Sequence, residues 1–156
     1  SEQGANFTAV TLNTFFNKIG AATRRGVGNF VIASPDMVEL LSRSKTYENV
    51  ADSGAVLKHV GTLNSGCVKV YQLDSWTGYV ALCGYKGGNE TDVGAIYSPY
   101  VPLLISNVVM NPTTYAPMRT FMTRGAFTTF NATTDTPVGS DEYFATLTVA
   151  VKDESK

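Results

Sequence analysis

The sequence predicts an α+β protein of mixed β-sheets and few helices. Apolar residues at helical spacing lie near the start of the chain, and a proline-marked helix signal follows shortly after. Beyond them comes a succession of β-branched and aromatic segments separated by polar turns. With 156 residues, 44% of them apolar and 11% aromatic, the chain is long enough to bury a core.

The first helix is expected over residues 10–25, where Leu12, Phe15, Phe16 and Ile19 share one face. The cationic pair Arg24 and Arg25 suits a helix C-terminus, and Gly26 supplies a stop. Residues 28–33 contain N-F-V-I-A, a short continuous apolar run that predicts a strand covered on both faces. Ser34, Pro35 and Asp36 then offer a capping hydroxyl, a proline at the first helical position and an acid in the first turn. They predict a helix from Pro35 to Ser42 that buries Met37 or Val38 with Leu40 and Leu41. Residues 44–66 turn polar and irregular, reading as a loop with one short helix at 55–60 and containing His59. Two strand signals at 67–73 and 79–85, joined by five residues that end in Gly78, predict an antiparallel hairpin with Trp76 at its tip.

The stretch 85–104 combines a glycine-rich polar turn, a tyrosine-bearing apolar segment, and Pro99 and Pro102. It cannot be one regular helix or one central strand, so it joins two elements. Residues 101–110 are β-rich, 111–117 form a turn, and 118–130 alternate loosely as a long strand with Gly125 as the expected bulge. A loop at 131–141 and a last strand over 142–151 complete the chain, in which no internal repeat occurs.

Twelve basic against thirteen acidic residues give a formal net charge of −1, so no whole-domain basic field would draw the chain to nucleic acid. No apolar run approaches a membrane span, and the first residues lack the order of a signal peptide. The sequons at Asn6, Asn89 and Asn131 would matter only in a secreted eukaryotic protein. Cys67 and Cys83 leave a strand-to-strand disulfide open, but without a secretory signal two reduced thiols are the default.

Catalysis finds little to work with. His59 is the single histidine, so a serine, threonine or cysteine nucleophile lacks an obvious base, and no cofactor or metal is expected. Glu90 and Asp92 lack the ligand spacing of a calcium loop; they read as turn chemistry or as salt bridges to a neighbouring chain. The glycines around Val27 precede a strand, opposite to the order of a dinucleotide loop, and Gly84, Gly87 and Gly88 lack a phosphate loop's ending. The chain is therefore expected not to be an enzyme.

Two strings carry a family resemblance. The stretch Y-K-G-G-N-E-T-D-V-G-A-I-Y-S-P-Y-V-P-L resembles a segment of the major head protein of T-even-type tailed bacteriophages, matching at Lys86, Gly87, Asn89, Glu90, Asp92, Gly94, Tyr97, Pro99, Tyr100 and Val101. Upstream, R-R-G-V-G-N-F-V-I-A-S from Arg24 to Ser34 is similar to a second family string, in the family's order. The resemblance implies a structural subunit of an icosahedral virion, assembled in the host cytoplasm and enclosing the genome, with the HK97-like capsid fold. It implies the end of the long peripheral-domain helix at 1–28, an axial domain at 29–98 and return strands of the peripheral domain at 99–156. The family's members are far longer and this chain starts at Ser1 without methionine, so the resemblance makes it a C-terminal portion of a longer subunit.

The implied partners are copies of itself in hexameric and pentameric capsomers, with other capsid or decoration proteins, but neither specific nucleic acid nor membrane. With few charges in the chain, those beside rigid turns and strands are the expected subunit-interface residues: Arg24, Arg25, Lys86, Glu90, Asp92, Arg119 and Arg124. The rival reading is a secreted or surface β-sandwich binding module, suggested by the Thr, Asn, Gly and Tyr content.

Overall fold

The computed structural model describes residues 2–50, 57–130 and 139–149. The chain divides into two compact units, one of residues 1–94 with 131–156 and one of residues 95–130.

In the first unit, α1 spans Glu2–Thr23, starting earlier than the apolar spacing indicates, and buries Leu12, Phe16 and Ile19. It ends before Gly26: Thr23 Oγ1 donates back to the Ile19 carbonyl at 2.8 Å, and Arg24 takes the left-handed conformation (φ 54°) that closes a helix, with its N–H on Gly20 O at 3.0 Å. Gly28 serves packing, since a Cβ there would lie 2.6 Å from the Phe16 ring. Helix α2, Pro35–Ser42, forms as the sequence predicts: the Ser34 hydroxyl accepts from Met37 N at 3.3 Å, and Met37, Val38 and Leu41 are buried.

The strands of this unit are β1 (Phe30–Ala33), β2 (Tyr47–Asn49), β3 (Leu57–Leu63), β4 (Val68–Leu73), β5 (Val80–Gly84) and β10 (Phe144–Thr148). They form one sheet in the order β10-β5-β1-β4-β3-β2. The residues facing the helices, Val31, Ala33, Val70, Ala81 and Cys83, join Leu12, Phe16, Met37 and Leu41 in the core. On the opposite face Phe30, Ile32, Tyr71, Leu82 and Phe144 are half-buried, so β1 alternates rather than being equally covered on both faces. A single sheet backed by helices differs from the two facing sheets of a β-sandwich.

Two sequence expectations fail here. The segments 67–73 and 79–85 are not hairpin partners, because β1 lies between them, parallel to β4 and antiparallel to β5. Crossing one intervening strand takes about 9.5 Å, which a five-residue link at roughly 3.3 Å per residue spans readily. That link is fastened to the start of α2: Gly78 N donates to Asp36 Oδ2 at 3.1 Å, and the Ser34 hydroxyl donates to the Gly78 carbonyl. The short helix expected at 55–60 is also absent where described. Residues 57–60 belong to β3, which pairs with β4 through a turn whose Asn64 and Ser65 take positive φ of 55° and 56°, while 55 and 56 lie outside the described residues. His59 accordingly sits in a strand, its ring 5.3 Å from that of Tyr71.

The second unit is a ribbon. Strand β6 (Ala95–Ile105) pairs antiparallel with β9 (Phe121–Thr129), and β7 (Val109–Met110) pairs with β8 (Pro117–Met118). The extra residues fall in β6, between Pro99 and Val101 and between Val101 and Leu104, rather than at Gly125. The cause is chemical: Pro99 and Pro102 have no N–H to give the ladder, so the irregularities gather around them. The long strand expected over 118–130 is interrupted at Arg119 and Thr120, where Thr120 N turns to the Ser106 hydroxyl at 2.8 Å.

Candidate assembly interface

Five of the seven expected interface residues belong to the first unit, and two of them meet. The Arg25 guanidinium lies 3.0 Å from Asp92 Oδ1, joining the end of α1 to the turn after β5. Asp92 also accepts from the Tyr85 hydroxyl at 3.0 Å and from the Tyr143 hydroxyl at 3.5 Å, and the two tyrosine rings stack 6.2 Å apart. Gly26 admits Tyr85 at this place, since a Cβ there would lie 2.6 Å from its ring; a Cβ on Gly87 would collide with the Asp92 carboxylate.

Electrostatics follow the contacts. The hydrogen bond to Asp92 raises the pKa of Arg25, and the same carboxylate, as acceptor, raises that of Tyr85. The Tyr143 hydroxyl is pushed up chiefly by burial.

The backbone of the turn is held as firmly as its side chains. The Asn29 carboxamide takes both polar groups of Lys86, accepting from its N–H at 3.0 Å and donating to its carbonyl at 2.7 Å. Lys86 bridges to Val93, Gly87 N donates to Asp92 O at 2.8 Å, and Asp92 N donates to Asn89 O at 3.1 Å. At the outer end Glu90 is exposed, as is the Lys86 side chain. Arg24 is exposed beside the clamp, while Arg119 and Arg124 are exposed in the ribbon, the latter opposite Val101.

Sequence reasoning overlooked Asn29, Tyr85 and Tyr143. The first two stand inside the strings quoted above and carried a signal; Tyr143 follows a loop and had none. Cys83 is buried and its thiol is pushed up to about 12, so it stays protonated and unreactive at neutral pH, and Cys67 is exposed; both are free. Among the described residues no cluster of three or more His, Cys, Asp or Glu side chains could hold a metal ion, and no helix is long and apolar enough to cross a membrane.

In the ribbon the apolar surface is itself the conspicuous feature. No residue of 95–130 is buried, and Tyr97, Tyr100, Leu103, Phe121 and Phe127 are each more than half exposed.

The chain belongs to the major capsid protein Gp23 family, whose model matches residues 1–150. It is 37% identical over 99 residues to the major capsid protein of Vibrio phage KVP40, covering 56% of this chain and 19% of that protein. It is 32% identical over 133 residues to the major capsid protein of Salmonella phage ViI, covering 76% and 28% respectively. To the major capsid protein of Enterobacteria phage T4 it is 36% identical over 118 residues, covering 69% and 22%. The aligned part thus spans between 19% and 28% of the length of these relatives.

Proposed function

We propose that this chain is a portion of the structural subunit of an icosahedral tailed-phage capsid, assembling with copies of itself in the host cytoplasm. The observation that carries the reading is the family match over residues 1–150. The ribbon supports it: a two-stranded ribbon without a core is marginal alone, and so much exposed apolar surface is ordinarily covered by other protein. The subunit takes the HK97-like fold, in which residues 1–28 end the long peripheral helix, 29–98 form the axial domain and 99–156 return through the peripheral domain. Strand β10 pairs with β5, so the returning segment also supplies an edge to the axial sheet.

The subunit forms hexameric and pentameric capsomers, contacts other capsid or decoration proteins, and catalyses no reaction. Its contacts draw on Arg24, Lys86, Glu90, Arg119 and Arg124, none of which forms an ion pair with another described residue. Arg25 and Asp92 hold the turn that presents two of them.

Sedimentation velocity on the full-length protein tests this reading. Arg124→Ala is expected to leave the circular dichroism spectrum unchanged while subunits replace capsomers or shells. Normal particle yield from that variant would remove Arg124 from the contact set, and a parent protein that never leaves the subunit peak would reject the capsid reading itself.

A further inference from the structure

We propose that the turn from Lys86 to Val93 is a copy-to-copy contact in which Lys86 of one subunit meets Glu90 of the next. The inference rests on the capsid-subunit reading and goes beyond it by naming a pair.

The turn is exposed, yet its backbone is fixed at both arms. Asn29 occupies the N–H and the carbonyl of Lys86, and the Lys86–Val93 bridge closes the base. The Gly87-to-Asp92 and Asp92-to-Asn89 bonds set the path between, and the Asp92 side chain is anchored by Arg25 and Tyr85. Ordering a backbone costs conformational entropy, so exposed turns are not held this tightly by default.

What the ordered turn displays is two opposite charges. Asp92 is engaged within the chain, whereas Lys86 and Glu90 have no ion pair among the described residues. Because one turn carries both signs, a second copy brought up head-to-tail by rotation can place its carboxylate on this ammonium. Around a closed ring the same contact repeats at every interface, with no end left unpaired. Fixing the backbone beforehand removes the ordering cost from the association step, which is how a small polar contact gains strength and specificity. Neighbouring Asn89 and Thr91 are also exposed and polar, so the tip carries no large apolar side chain that would favour an oily groove as its partner.

Charge exchange tests the pair. Full-length protein carrying Lys86→Glu, Glu90→Lys or both is compared with the parent by sedimentation and negative-stain microscopy at low salt. Each single reversal places like charges in contact and is expected to lower capsomer yield at least about tenfold; the double variant, with the pair inverted, recovers to within about threefold of the parent. Lys86→Gln and Glu90→Gln give smaller losses and guard against misfolding of the reversed variants, with circular dichroism reporting the fold. The inference is overturned if the single reversals assemble like the parent, or if the double variant is no better than the worse single. Failure of the parent to assemble would instead count against the capsid reading.

Discussion

Asp92 gathers three partners, and their exposures rank their worth. The Arg25 side chain is 51% exposed and that of Asp92 19%, so solvent screens the ion pair and it adds little to stability. Removing the carboxylate also takes its acceptor from the Tyr143 hydroxyl and leaves Tyr85 only the longer bond to the Arg25 carbonyl at 3.4 Å, which costs about 1–3 kcal/mol. Urea unfolding should therefore place Asp92→Ala well below Arg25→Ala in stability; equal losses would mean that the ion pair, not the tyrosines, holds the turn. Cys83 gives a second expectation at this scale. Its unfolded thiol titrates near the ordinary 9.0, while the folded one holds its proton to about 12. The folded value is raised, so this contribution is complete below pH 9 and is lost as pH climbs toward 12, at about 1.4 kcal/mol per pH unit. The raised values at Tyr85 and Tyr143 act in the same direction above pH 10. Denaturation midpoints across that range should fall less steeply for Cys83→Ala; an unchanged slope would show that the thiol is not protected.

Helix α2 shows how an element can be legible while its neighbours are not. Ser34, Pro35 and Asp36 specify a helix start by chemistry confined to three residues, and the element appears where they place it. Strand pairing is decided elsewhere. The segments β4 and β5 looked like a hairpin because a short link ending in glycine normally makes one. Here Ser34 and Asp36 capture that link, and the apolar β1 takes the central place. Such a choice depends on long-range competition for the core that local spacing does not record. The site was partly legible for the same reason: Arg25, Lys86, Glu90 and Asp92 were visible as charges near turns, whereas Tyr143 reaches Asp92 only through the fold of residues 51 positions later. Ser34→Ala tests the junction. The Ser34 side chain caps α2 and also bonds Gly78 O, so its loss should cost about 1–2 kcal/mol, seen as a lower urea midpoint at unchanged slope. A neutral result would mean that the link holds without it.

For the whole molecule, the first unit encloses its own core, and the second, residues 95–130, buries none of its side chains. Stability thus lies with the first unit, while the ribbon leaves an apolar surface for which a covering partner is the ordinary outcome. The family match carries the proposal that this surface is covered in a capsid shell, and the exposed aromatics give a physical reason for a partner there. Negative-stain microscopy of the purified full-length gene product tests the central claim most directly. The account predicts ring-shaped capsomers or closed shells of uniform size, whereas a uniform population of single subunits at every protein concentration would contradict it.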